Sequence, residues 1–302
     1  MKTAWLFPGQ GTQRRGMGAE VFDLYPGLIK KADGVLGYSI RELCLEDPDN
    51  KLGSTHYCQP AMFVVGALLF LQKCRNEPWP DFFVGHSLGE YNALFAAGVF
   101  DFEEGVSLVK RRGELMSEAG TGLMLAVIGP EVDSLMALIL ELNLPELDVA
   151  NYNLPTQTVL SGPDKAIDKI AEAIEKRQLG RAVYLHVGGA FHSSYAESVA
   201  QKFDKTLDRY HFSDPVIPTL SNVTAKPYEA GTVRNLLGKQ ICSSVRWVEI
   251  MDYLHSQGVS HACQIGPGRV LDGLWERYQP DRNLTPISQQ ANQSSNQIAT
   301  GI

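Results

Sequence analysis

Val84-Gly85-His86-Ser87-Leu88-Gly89-Glu90 is the stretch that decides the fold. Asp81-Phe82-Phe83-Val84 reads as a short buried strand, Asn92–Ala97 reads as a helix, and G-x-S-x-G lies between them. A serine flanked by small residues at a strand-to-helix turn is the pattern of a nucleophile elbow. The glycines let the backbone turn sharply enough to lift the hydroxyl clear of the sheet. Such a turn sets Ser87 Oγ at the positive end of the following helix and leaves the Leu88 N–H free to bind an oxyanion. The competing reading is an ordinary glycine-rich turn, because a pattern of three fixed residues recurs by chance. The strand before and the helix after favour the nucleophile.

The rest of the chain bounds what such a serine can do. Its 302 residues are 44% hydrophobic, enough for one large domain or two smaller ones around a full core. No apolar run has the length of a membrane span, and Met1–Phe7 lacks a signal-peptide core, so the expected location is the cytoplasm with no membrane partner. Cys44, Cys58, Cys74, Cys242 and Cys263 are scattered and never spaced as C-x-x-C, which points to free thiols, with neither a metal site nor a disulfide framework. A net charge of −7 argues against general nucleic-acid binding. An anionic ligand or acidic partner must then meet a local basic patch, for which Arg14, Arg15, Lys110, Arg111, Arg269 and Arg277 are the candidates.

Working outward from the elbow, Lys2–Phe7 is a β-like run ending in Pro8-Gly9-Gln10-Gly11, a permissive loop whose glutamine can line a pocket or simply face solvent. Helical patterns cover Ala19–Leu36 and Ile40–Leu45, and Pro60 suits the first turn of an apolar helix Ala61–Cys74. Phe102–Ala119 is helical and stops at Gly120-Thr121-Gly122. The pattern then changes to strand 123–129, helix 131–142, strands 147–153 and 157–161, helix 164–177 and strand 181–187. That β-α-β-β-α-β order is a ferredoxin-like unit inserted in the chain. The expected architecture is therefore α/β: a hydrolase-like domain with a parallel sheet core, built from 1–122 and 188–288, carrying a ferredoxin-like subdomain at 123–187. Residues 289–302, rich in Gln, Asn and Ser, read as a disordered tail or linker.

A serine nucleophile needs a base. Among seven histidines, His86 adjoins Ser87 and should point away from it, while His186 falls inside a strand. His192 follows the strand 181–187 through Gly188-Gly189-Ala190 and precedes a helix, and such strand–loop junctions gather at the carboxyl edge of an α/β sheet. A helix-capping or solvated histidine is the alternative. No aspartate stands out as a third member, so some other group must orient the imidazole.

Taken together, these residues resemble the malonyl-CoA:acyl carrier protein transacylases and the acyltransferase domains of polyketide synthases over about residues 2–278. Phe7-Pro-Gly-Gln10-Gly-Thr-Gln13 resembles the family's opening loop, Gln59-Pro60-Ala61 its QPA motif and Gly85–Glu90 its elbow. Arg112-Gly113, Ala150-Asn-Tyr-Asn153, Ala190-Phe191-His192, the segment Gln240–Trp247 and Gly266-Pro-Gly268 are similar to later family motifs, in order. The resemblance implies Ser87 as acylated nucleophile, His192 as base, and the backbone N–H groups of Gln10 and Leu88 as oxyanion hole. It further implies Arg112 as partner of the acyl carboxylate and the Gln240 carbonyl as orienter of the histidine. Gln59, His86, Met116, Asn153 and Phe191 would line the pocket, with no metal. The nearest likeness is to free-standing acyltransferases serving polyketide synthases, and Phe191 resembles the malonyl-selecting form. The implied substrate is a coenzyme A thioester, malonyl-CoA, with a phosphopantetheinylated acyl carrier protein as partner and no permanently bound cofactor, in polyketide or fatty acid biosynthesis. The alternative is a proofreading acyl hydrolase of the same fold, against which Arg112 weighs. Two departures are Gln264, where glutamate often precedes GPG, and Gly188-Gly189, where relatives are often bulkier.

Overall fold

The computed structural model describes residues 1–118, 122–278 and 280. The chain opens with strand β1 (Lys2–Phe7), helices α1 (Ala19–Phe22), α2 (Pro26–Leu36) and α3 (Ile40–Glu46), a tight 3-10 segment Pro48–Gly53 and the long helix α4 (Thr55–Asn76). Strand β2 (Phe82–Gly85) leads into α5 (Gly89–Ala96) and α6 (Phe102–Ser117). The middle of the chain is β3 (Leu123–Ile128), α7 (Val132–Glu141), β4 (Asp148–Leu154), β5 (Gln157–Gly162), α8 (Asp164–Lys176) and β6 (Arg181–Leu185). The remainder is α9 (Glu197–Leu207), β7 (Thr219–Leu220), α10 (Val233–Gln240), α11 (Trp247–Ser256), β8 (Val259–Gln264) and α12 (Val270–Arg277).

These strands form two sheets of opposite character. The first, in the order β7-β2-β1-β8, is parallel throughout. Ala4–Phe7 and Phe82–Gly85 are buried along their whole length, as strands covered on both faces must be. The second, in the order β4-β5-β3-β6, is antiparallel. Helix α8 lays Ala166, Ile167, Ile170, Ala171 and Ile174 on it, making a small core separate from the main one. The expected α/β architecture with a small ferredoxin-like sheet is the one observed. Strand β4 of the small sheet is tied to the connection between α10 and α11: Tyr152 N donates to Val245 O at 3.0 Å, Val245 N to Ala150 O at 2.8 Å, and Ser244 Oγ to Val149 O at 2.6 Å.

Several boundaries differ from the sequence reading. The helical run Ala19–Leu36 is broken in two, with Pro26 at the first turn of α2. Helix α4 begins at Thr55, six residues before the expected start, so Pro60 lies inside it. Proline has no N–H for the carbonyl four residues back, that of His56. That carbonyl lies against α6, where a Cβ on Gly113 would stand 3.2 Å from it. Helix α4 is also long and apolar enough to cross a membrane by length and composition alone, contrary to the expectation that no such run exists. Two thirds of its apolar window is buried inside the protein (67%), as befits a core helix. Strand β6 ends at Leu185, where Val187 N turns back to Leu185 O. The helix stop expected at Gly120-Thr121 and the tail 289–302 lie outside the described residues.

Candidate active site

The elbow is built by steric necessity. A Cβ on Gly85 would lie 1.9 Å from the Gly89 carbonyl carbon, and one on Gly89 would lie 2.0 Å from Phe7 O. Only glycine lets β2, the first turn of α5 and the end of β1 approach so closely. Ser87 takes a left-handed backbone, φ 52°, a cost that an elbow accepts to present its hydroxyl. The Pro8-Gly9-Gln10 loop lies directly against this turn, since a Cβ on Gly9 would meet His86 O at 2.6 Å. The Gln10 side chain is tied back to Thr55 Oγ1 at 3.2 Å, and Gly266 packs on Pro8. In the GPG turn, Gln264 donates to Pro267 O and accepts from Leu271 N, a pairing that needs an amide rather than a carboxylate.

His192 comes to the serine from 105 residues further along, its Nε2 standing 2.7 Å from Ser87 Oγ. Its Nδ1 faces two carbonyl oxygens, Gln240 O at 3.0 Å and Ser243 O at 3.1 Å. Both can only accept, so Nδ1 carries the proton and Nε2 offers its lone pair to the serine hydroxyl. The position that catalytic triads fill with a carboxylate is thus filled by backbone. Burial, and then the charge of Arg112, push the imidazole from its ordinary 6.5 down to about 3, so it is neutral at physiological pH.

Arg112 reaches in from α6, is 0% exposed, and donates through one terminal nitrogen to Ser87 Oγ at 3.3 Å and to Gln240 Oε1 at 3.0 Å. Its guanidinium lies over the Tyr91 ring, 5.4 Å from the centroid, and its Nε has no partner. Among the described residues no carboxylate forms an ion pair with it. A cation this deeply buried costs several kcal/mol unless an anion arrives, by roughly the measure of any unpaired buried charge.

The other expected pocket residues divide. Gln59 Nε2 lies 3.3 Å from Met116 Sδ, both buried, with Gln59 Oε1 unpartnered. His86 points away from Ser87 Oγ to Asn153 Oδ1 at 2.8 Å and rests against Trp247, linking the elbow to β4. Phe191 is buried beside His192. Of the six candidate surface cations, Arg15 pairs with Glu46, Arg269 with Asp272 and Glu276, and Arg277 reaches Gln157. Arg111 instead shares a surface concavity of about 470 Å³ with Lys202, Lys205 and Arg209.

Four residues of this centre escaped the sequence reading: Glu90, Asn222, Tyr228 and Ser243. Ser87 N donates to Asn222 Oδ1 at 2.7 Å, while Asn222 Nδ2 holds Gly85 O at 2.6 Å. Gln240 acts through its side chain as well as its carbonyl, its Nε2 donating to Ser87 O at 2.8 Å and Glu90 Oε2 at 2.6 Å. The signal for Glu90 was its place in the elbow stretch; Asn222 gave none beyond a turn-forming type. Among the described residues no cluster of three or more His, Cys, Asp or Glu could hold a metal ion.

A parallel α/β sheet whose elbow sets a serine hydroxyl against a neutral imidazole is the geometry of a serine-dependent acyl-group enzyme class. Residues 4–270 match the acyl transferase domain. A polyketide biosynthesis malonyl CoA-acyl carrier protein transacylase of Bacillus subtilis strain 168 is 45% identical over 284 residues, covering 93% of this chain and 99% of the relative. The crystal structure of a malonyl CoA-acyl carrier protein transacylase from Burkholderia pseudomallei superposes with TM-score 0.89 at 43% identity, over 94% and 99% of the two chains. A malonyl-transacylase in complex with its type II polyketide synthase acyl-carrier protein gives 0.86 at 34% identity, over 92% and 93%. The chain belongs to the acyl transferase domain family, among its malonyl CoA-acyl carrier protein transacylases.

Proposed function

We propose that the protein is an acyl-carrier-protein S-malonyltransferase, moving malonyl from coenzyme A through a Ser87 ester to the phosphopantetheine thiol of a carrier protein. The observation that carries the malonyl assignment is Arg112, a buried guanidinium beside Ser87 Oγ with no carboxylate of its own. A malonyl group differs from acetyl by one carboxylate, and a guanidinium takes both its oxygens at once without losing charge. A hydrolase acting on neutral acyl chains would have no use for it. The name of the Bacillus subtilis relative favours polyketide over fatty acid service. The type of residue at Phe191 favours malonyl over bulkier extender groups. The reaction belongs in the cytoplasm, with coenzyme A thioester as substrate and no resident cofactor. The division into 1–122 with 188–288 as catalytic domain and 123–187 as inserted subdomain completes the reading.

In this mechanism His192 Nε2 takes the Ser87 proton as Oγ attacks the thioester carbonyl. The carbonyl oxygen becomes an oxyanion facing the Leu88 and Gln10 N–H groups. Collapse expels the coenzyme A sulfur, which receives the proton from His192. The carrier thiol then gives its proton to His192, attacks the seryl ester, and Ser87 leaves with the proton returned. Arg112 adds a second effect, because its field is one of the forces holding His192 neutral. A malonyl carboxylate cancels that field and makes the imidazole a better base for its own transfer.

Intact-protein mass spectrometry with malonyl-, methylmalonyl- and acetyl-CoA tests the reading. The expected result is a malonyl adduct on Ser87 that passes to holo carrier protein and is absent in Ser87→Ala. A malonyl adduct persisting in Ser87→Ala would overturn it.

A further inference from the structure

Beneath the site lies a charged group that the reaction itself does not use. Glu90, in the first turn of α5, is 0% exposed. Its Oε1 accepts from Tyr228 OH at 2.6 Å and Asn222 N at 3.0 Å, and its Oε2 from Gln240 Nε2 at 2.6 Å. One carboxylate thereby fixes the two residues that handle Ser87. Asn222 holds the Ser87 amide, and Gln240 holds the Ser87 carbonyl, the His192 Nδ1–H and Arg112.

The orientation of the Gln240 amide is what matters. An ionised carboxylate only accepts hydrogen bonds, and so does the Ser87 carbonyl. With both on one side, the NH2 of Gln240 must face them and Oε1 must face Arg112. The result is a chain of carboxylate, amide and guanidinium, with the amide dipole aligned between opposite charges. A direct ion pair would stabilise Arg112 as well, but it would occupy the fork that the substrate carboxylate needs. We propose that Glu90 is a positioning residue that neutralises Arg112 at one remove, locking the Gln240 amide so that the guanidinium is balanced yet open to the substrate carboxylate. The inference rests on the malonyl-transfer reading above.

The lock carries a pH dependence. Burial raises the Glu90 carboxyl to about 7, against the lowering pull of Tyr228, Gln240, Asn222 and Arg112. The other groups facing this pocket do not titrate near neutrality: burial pushes the Tyr91 and Tyr228 hydroxyls well up, and His192 and His86 are pushed down. Protonated Glu90 presents a donor and no charge, so Gln240 loses one of the two acceptors that hold its NH2 group and Arg112 loses its balancing anion, leaving the Ser87 carbonyl alone to keep the amide in place. Malonyl acylation should therefore fall as pH drops through the neutral range.

The test is the rate of adduct formation from malonyl-CoA and acetyl-CoA between pH 5.5 and 9, on full-length wild type, Glu90→Gln and Tyr228→Phe. Glu90→Gln is expected to lose malonyl acylation by about tenfold to a hundredfold at alkaline pH, more than it loses acetyl acylation, and to lack the acid limb. Tyr228→Phe removes a donor to the ionised form, so its acid limb should move up by roughly one pH unit. An acid limb unchanged in both variants overturns the proposal, as does an equal loss for both acyl groups. Should Glu90→Gln fail to fold, the Tyr228→Phe limb decides alone, an unmoved limb being the negative result. Wild type that forms no malonyl adduct would sink the function, whereas a normal wild type with an indifferent Glu90→Gln sinks only this inference.

Discussion

Arg112 donates to Ser87 Oγ from 3.3 Å away while one of its own nitrogens, Nε, stays buried and unpartnered. A guanidinium left incomplete beside a serine hydroxyl is set for a ligand that brings an anion. Arg112→Ala should therefore cost malonyl transfer roughly 2–5 kcal/mol in kcat/KM, the usual loss when a buried charge pair is orphaned. Acetyl transfer should hold or improve, because no positive charge then faces a methyl group. Parallel kcat/KM measurements on the two thioesters check this, and an equal loss for both would make Arg112 structural.

His192 is the one imidazole within reach of Ser87 Oγ among the described residues. His192→Ala should slow acylation by roughly 10²–10⁴-fold, the worth of a positioned general base. Stopped-flow or quenched mass spectrometry reads the rate directly, and near-normal turnover would move the proton transfer elsewhere.

The same histidine makes acid stability measurable. Its folded-state pKa is depressed from 6.5 to about 3, so the unfolded chain binds a proton that the folded one refuses. Its contribution is complete above 6.5 and is lost as pH falls toward 3. The difference in Tm between wild type and His192→Ala should accordingly shift against wild type between pH 7 and pH 4. Glu90, raised in the opposite sense, is common to both proteins and cancels. A difference in Tm that does not change with pH would mean that the imidazole is not held neutral.

Gly85→Ala should destabilise the fold by about 3 kcal/mol or more, because its Cβ has no space beside Gly89 and no flexible side chain can yield. Thermal unfolding measures the loss. A variant as stable as wild type would mean that the elbow is looser than its contacts indicate.

The local code was legible in the residues themselves. Strand, G-x-S-x-G and helix specify the elbow because only glycine tolerates backbone 1.9 Å from a would-be Cβ, and that constraint is local. The β-α-β-β-α-β order of 123–187 is likewise written in periodicity, which each segment carries alone. Pro60 shows the limit: propensity starts the helix at its first turn, whereas packing of α4 against α6 extends it back to Thr55.

What the sequence by itself determined was the elbow, the two sheet types and a serine in need of a histidine. Which further groups complete the site, beyond those the resemblance implied, was decided only by tertiary structure. Ser243 presents a second carbonyl to His192 beside the Gln240 carbonyl that the resemblance implied, and backbone atoms carry no residue-type signature. Glu90, Asn222 and Tyr228 lie up to 138 residues apart and converge on one buried carboxylate. Each of these is an ordinary polar residue in its own stretch. Their meaning comes from desolvation, since a charge sealed from water must be met by whichever groups the fold brings to it.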